Sequence, residues 1–416
     1  MTATNTTASL PGRPGVAGLL ADPQFLRIWL AGVASGIARW LEMLVVGIYA
    51  YDTTGSPFLV ALLVILRLLP LTVLGSLVGA VADRTSPRLL LVVGLAAAAC
   101  VSGSVCLLFF FGYPNYWVVA AASVAAGIVW TCDMPLRRRI LGDIAGPARI
   151  GPAMGLDSAT NNATRMLGPL AGGALYEWLG TDGAFALTAA LYVTSAVLVL
   201  LIPAAMSATV RSGAPTRLLR DLRDGFVFAA RDRDVLRILM VTVVFNIWGF
   251  PFVSMIPVLG RDVLMIGAEW IGALAALEAL GAFLGAMVIA TRLQHASFRG
   301  LYYFGTMAYL VFIFISGWMG HAAPMALVML CIGLGMAGFS AMQSALVYSV
   351  APPEMRGRLF GLMTICIGTG VIGFANIGLM AEWFGAPAAV CIVAAEGMIP
   401  LVLIGIGWRE LRRRGA

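Results

Sequence analysis

The chain has 416 residues, of which 60% are apolar and only 11% charged, and its mean hydropathy is +0.93. Soluble domains carry about a quarter charged residues, and no soluble core hides this much apolar surface behind so few charges. Soluble enzymes, disordered chains and disulfide scaffolds are thereby excluded. What remains is a polytopic membrane protein, in which about 20 residues per crossing allow roughly twelve helices.

In chain order, residues 1–24 are polar, lack the apolar core of a signal peptide and read as a cytoplasmic tail. Apolar runs then recur at about 25–49, 57–82, 89–111, 116–136, 156–179, 184–202, 236–259, 267–291, 300–317, 324–350, 359–384 and 387–407. The expected architecture is all-α: two six-helix bundles (25–203 and 236–408), a linker (204–235) and a basic tail (409–416). In the linker, Leu218, Leu222 and Phe226 share one helical face, and Arg217, Arg220, Asp221, Arg223 and Asp224 take the other. This is an amphipathic helix suited to a membrane surface or to joining two halves.

The net charge of +7 comes from 27 basic residues, all of them Arg. Arg39, Arg67 and Arg165 lie within spans and Arg261 follows span 7; the others cluster in the even-to-odd loops and the two tails. The positive-inside rule therefore places both termini on the cytoplasmic side and makes the number of crossings even. This distribution suits a lipid bilayer, not nucleic acid. The six Cys all fall in apolar stretches without metal-ligand spacing and read as small hydrophobes.

The two halves echo each other. Gly168, Gly173, Glu177, Trp178 and Gly180 at the end of span 5 match Gly373, Gly378, Glu382, Trp383 and Gly385 at the end of span 11, each pair 205 residues apart. Six plus six spans in parallel repeat is a transporter plan with its site at mid-depth between the halves.

Intramembrane ionisable groups are costly and are functional candidates by default. Counting from the outer ends at 1.5 Å per residue puts Glu42 and Arg67 both roughly 13–15 Å deep, within reach of each other. Arg39 lies one turn from Glu42. Arg165 falls in the inner half of span 5, and Asp133 near the inner end of span 4. Glu278 and Glu396 sit near mid-depth with no Arg on their own spans. Unpaired carboxylates in low dielectric favour the protonated form, so either is a candidate proton carrier. The surplus Arg charge suits an anionic substrate, although the same Arg–Glu cluster also reads as a buried structural network. Asn246, Trp248, Gln343 and Asn376 are candidate cavity residues, and Gly249 and Pro251 permit a break in span 7. Nothing resembles a nucleotide-binding loop or a metal site, so no cofactor is expected and an ion or proton gradient is the expected energy source.

The loop Gly79-Ala80-Val81-Ala82-Asp83-Arg84-Thr85-Ser86-Pro87-Arg88 resembles the signature loop of the major facilitator superfamily, departing from it at Ser86. The stretches Phe25–Trp29, Ala153–Ser158, Gly168–Gly173 and Pro353–Arg358 resemble its bacterial efflux branch, with enterobactin and multidrug exporters. The resemblance implies that Gly79, Asp83, Arg84 and Arg88 form a conformational gate. Asp83 would face the start of span 11 near Arg356 and Arg358, or pair with Arg137, Arg138 or Arg139. It further implies a monomeric, non-enzymatic exporter exchanging protons for a small amphipathic or anionic compound, such as a drug or siderophore. Uptake of an anionic metabolite and movement of lipids are the alternatives.

Overall fold

The computed structural model describes residues 16–203, 218–293, 297–352, 355–408 and 411, with side chains except at 74–84, 218–222 and 344. Twelve spans follow in order. Span 1 is Pro23–Thr54, span 2 Pro57–Arg84, span 3 Pro87–Phe110 and span 4 Tyr116–Ala145. Spans 5 and 6 share one run, Ile150–Leu200, broken at Gly180. Span 7 is Arg233–Asp262, span 8 Ala268–Arg292, span 9 Phe298–Ser316, span 10 Ala322–Val350, span 11 Arg356–Phe384 and span 12 Ala386–Ile406. The linker helix is Leu218–Arg231, and the described residues contain no strand.

Local chemistry sets the helix starts. Asp22 accepts the Gln24 N–H at 2.9 Å ahead of Pro23, Asn115 accepts that of Trp117 at 2.8 Å, and Asp232 accepts those of Asp234 and Val235 at 2.9 and 3.1 Å. Each satisfies a first-turn donor that has no partner inside its own helix. Several helices outrun their apolar stretches. Span 4 continues to Ala145 and span 5 starts at Ile150, because hydropathy marks only the lipid-matched part of a longer rod. The expected N-terminal tail also contains structure: Val16–Leu20 forms a helical turn with Leu19 fully buried.

Gly180 (φ 71°) joins spans 5 and 6, and Gly385 (φ 81°) joins spans 11 and 12. Each turn reverses the chain through one left-handed residue, a conformation that glycine adopts without steric cost. Span 7 is interrupted where its sequence suggested. A π turn at Phe245–Gly249 runs into a 3-10 stretch at Phe250–Ser254, with Pro251 inside it.

Spans 1–6 pack mostly on one another, as do spans 7–12. The largest contacts between the halves are span 5 with span 8 and span 2 with span 11. Both rest on small residues. A Cβ on Gly173 would come within 2.3 Å of the Ala268 carbonyl oxygen, one on Gly272 within 2.4 Å of the Pro169 carbonyl oxygen, and one on Gly378 within 2.9 Å of the Ala61 Cβ. Without a hydrophobic drive between helices in lipid, such close backbone approach is what holds them together. The linker helix docks on span 11, and Asp224 meets Arg358 at 3.5 Å.

Candidate functional site

Two sets of buried charges occupy the middle of the molecule, and they differ in kind. The first lies wholly within the first half. Glu42 of span 1 faces Arg67 of span 2 at 3.6 Å, the meeting that depth counting anticipated. Arg39 turns instead to Asp133 of span 4 (2.7 Å) and lies over the Trp130 ring at 5.4 Å. Asp133 is 3.8 Å from Arg137, and Arg137 also meets Asp157 of span 5, which accepts Arg138 Nε at 2.8 Å. Arg39, Glu42, Arg67, Asp133, Arg137 and Asp157 are each less than 5% exposed.

This network ties spans 1, 2, 4 and 5 into one body. Removing any member would leave a buried charge without compensation. Its outer corner is loosely made. Among the described residues, Glu42 Oε2 and Arg67 Nε and Nη1 have no hydrogen-bond partner.

The second set crosses between the halves. Arg165 Nη2 donates to both carboxylate oxygens of Glu278 of span 8, at 2.9 and 2.7 Å. The same guanidinium approaches Met336 Sδ of span 10 at 3.5 Å and sits 5.5 Å above the Trp40 ring of span 1. Glu278 lies ten residues into span 8, roughly 15 Å below its outer end, which is mid-depth. Glu278 is therefore not the lone carboxylate that its own span suggested, because its counter-ion comes from the opposite half. Trp40 and Met336, absent from the sequence reading, complete the cage around Arg165.

Glu396 is not isolated either. Its Oε2 accepts Trp248 Nε1 of span 7 and Asn376 Nδ2 of span 11, both at 3.1 Å. Asn246 turns back on its own helix, donating to the Thr242 carbonyl oxygen at 2.8 Å. Gln343 Nε2 is buried with no partner among the described residues. Below the Trp248–Glu396 contact, a cavity of about 370 Å³ opens between the linker helix and spans 7, 11 and 12. It is lined by apolar residues such as Phe226, Leu239, Leu362 and Pro400.

The expected gate loop is divided. The side chains of Gly79, Asp83 and Arg84 lie outside the described residues. Arg137 and Arg138 bind Asp157, which stands at the start of the expected span 5 and is not among the candidate site residues read from the sequence. Arg88 donates to the Val199 and Leu200 carbonyl oxygens at the end of span 6 (3.3 and 2.6 Å), capping a helix of its own half. Arg356 donates to the Ala351 and Tyr348 carbonyl oxygens and stacks over Tyr348, while Arg358 reaches the linker helix. Arg139 is half-buried at the same end of span 4.

At the arginine-poor end the halves are fastened together. Arg261 of span 7 forks onto Asp52 of span 1 at 2.9 and 2.8 Å, Tyr176 donates to Asp52 at 2.9 Å, and Tyr51 donates to Asp262. The arginine that stood apart from the charge asymmetry thus serves a contact between halves. These contacts draw this end together.

Known proteins are consistent with this architecture. A family model described as Major Facilitator Superfamily matches residues 28–375. The chain is 25% identical over 385 residues to the MFS-type transporter YfiS of Bacillus subtilis (strain 168), covering 88% of this chain and 90% of that one. It is 22% identical over 274 residues to the staphyloferrin A transporter of Staphylococcus aureus (strain NCTC 8325 / PS 47), covering 66% and 68%. Among solved structures, the peptide transporter POT in complex with sulfate superposes with a TM-score of 0.76 at 11% identity over 98% of both chains. The D-xylose-proton symporter does so with 0.73 at 13% identity over 93% of this chain and 98% of that one. At such identities these two structures speak to the fold alone. With the twelve spans, the internal repeat and a family match over most of its length, this chain is a multi-pass membrane transporter and belongs to the Major Facilitator Superfamily.

Proposed function

We propose that the protein is a secondary active transporter of the bacterial cytoplasmic membrane that moves a small amphipathic solute bearing a carboxylate or similar anion, coupled to protons through Arg165 and Glu278. The observation that carries this reading is the Arg165–Glu278 pair, a buried ion contact made between the halves at mid-depth. In the closed arrangement the two charges neutralise each other. An anionic group entering the interface competes with Glu278 for Arg165. The displaced carboxylate, in a poorly hydrated setting, is stabilised by taking up a proton. Solute and proton then occupy the site together. Because the pair straddles the interface, its opening also loosens the halves, which is what alternating access requires.

The coupling sign follows. Solute and proton bind together and travel in the same direction. Export in exchange for protons, the expectation from the efflux-branch resemblance, is the second reading. It is favoured by the resemblance of the Gly168–Gly173 stretch to the efflux branch. It requires solute and proton to exclude each other, as they would if the solute were a cation drawn to Glu278. Reconstitution into proteoliposomes with an imposed pH gradient, scored on carboxylate-bearing amphiphiles, siderophores and cationic drugs, separates the two. The proposal expects carboxylates to accumulate on the side toward which protons flow; movement of cationic drugs against the proton flow would favour the exchanger.

A further inference from the structure

The repeated Glu-Trp-x-Gly segments have a structural counterpart that the transport reading does not use. Glu177, at the end of span 5, reaches into the opposite half, where its Oε2 accepts the Ala268 N–H at 2.8 Å. Ala268 is the first residue of span 8, whose preceding Gly267 offers no capping side chain. Glu382, at the end of span 11, does the same in reverse. Its Oε2 accepts the Ser56 hydroxyl at 2.7 Å and the Phe58 N–H at 3.4 Å, at the start of span 2. Ser56 in turn accepts the Leu59 N–H at 3.2 Å.

Each glutamate therefore satisfies first-turn donors of a helix in the other half. Each also places a negative charge against the positive end of that helix's dipole. The glycines of the same repeat prepare the contact. Gly168 and Gly373 press against spans 1 and 7 of their own halves, where a Cβ would come within 2.5 Å of Trp40 Cβ and 2.2 Å of the Ile247 carbonyl oxygen. Gly173 and Gly378 press against spans 8 and 2 of the other half. One turn beyond those glycines stands the capping glutamate.

We infer that Glu177 and Glu382 are a pair of reciprocal latches that hold the arginine-poor end shut, Glu177 as the missing cap of span 8 and Glu382 as a second acceptor beside the Ser56 cap of span 2. When the halves rock apart, both caps break together. Span 8, which has no side-chain cap of its own at Gly267, is then left with an unsatisfied first turn. The latches thereby bias the protein toward the closed arrangement, and Asp52–Arg261 adds a third, non-repeated fastening.

The test reads conformation, not transport. In a protein whose six native cysteines are replaced, Ser254→Cys puts one thiol in the small space between the halves lined by Trp40, Val60, Pro257 and Ala275. Its rate of modification by a membrane-impermeant maleimide, applied at the arginine-poor face of proteoliposomes, reports opening of that end. Glu177→Ala and Glu382→Ala should each raise the rate about three- to tenfold, as loss of one cap predicts. The Gln variants, which keep an acceptor oxygen, should fall between parent and Ala. Rates within twofold of the parent in both Ala variants would overturn the latch. So would Gln variants as fast as Ala. If one Ala variant does not fold, the other carries the test, because the two caps lie on different helix pairs. No solute or gradient is needed, so failure here leaves the coupling proposal standing, and the reverse holds too.

Discussion

Arg165 and Glu278 are 113 residues apart in sequence and meet at 2.7 Å across the plane that divides the molecule. Every other ion pair that is buried on both sides lies within the first half, among the described residues. Charges inside one rigid body can hold it together, but only a contact between bodies changes when the bodies move. That difference is the ground on which the proposed proton coupling is assigned to Glu278.

Glu278→Gln keeps the shape and removes the titration. We expect exchange of labelled for unlabelled solute to survive while gradient-driven accumulation falls to the background of protein-free vesicles. Arg165→Ala should weaken solute binding by at least about tenfold, since an ion pair formed away from water is lost. The exchanged pair, Arg165→Glu with Glu278→Arg, should recover thermal stability without recovering accumulation. Parallel isotope-flux and thermal-unfolding measurements check all three variants.

Asp157 answers Arg137 and Arg138 from a position that is 1% exposed. Asp157→Ala strands the buried Arg137 and should cost about 3–5 kcal/mol. The side chain of Arg138 is 43% exposed, and Arg138→Ala should cost no more than about 1 kcal/mol. Denaturation midpoints in detergent distinguish the two directly, and equal losses would contradict the network as described.

Gly173 of span 5 lies against span 8 with no room for a Cβ. A Gly173→Leu side chain has no room beside the Ala268 carbonyl, so the closed end must part. Transport should fall by more than about tenfold, with thiol labelling of the interface increased, while the protein still folds because spans 5 and 8 belong to different halves. Gly155→Leu, with open space around the added Cβ, is the matched control and should transport normally.

Glu396 accepts two neutral donors, and glutamine retains an acceptor oxygen for them. Glu396→Gln should leave both accumulation and its pH dependence within about twofold of the parent. A loss matching that of Glu278→Gln would move the proton site to span 12 and overturn the present assignment.

The twelve spans were legible in the sequence because lipid demands long apolar runs, and the break in span 7 because Gly249 and Pro251 sit beside Asn246. The Glu42–Arg67 meeting was legible as well, since depth along two neighbouring helices can be counted from a shared turn. The partner of Glu278 was not, because depth counting says nothing about which face of span 5 turns toward span 8. Asp157 falls at the very start of the expected span 5, where a carboxylate reads as lying at the membrane surface; that Arg137 and Arg138 fold back onto it is visible only in the structure. The 205-residue repeat marked Glu177 and Glu382 as related but not what they touch; the donors of the other half include the Ala268 and Phe58 N–H groups, and backbone donors leave no trace in side-chain identity.

The most direct test of the account is the sign of proton movement that accompanies solute. Proteoliposomes holding a pH-sensitive dye receive an inward gradient of whichever carboxylate amphiphile exchanges fastest, with protein-free vesicles as the baseline. The account predicts acidification of the lumen above that baseline by the parent protein and none by Glu278→Gln. Alkalinisation by the parent, or an undiminished acid signal from Glu278→Gln, would contradict it.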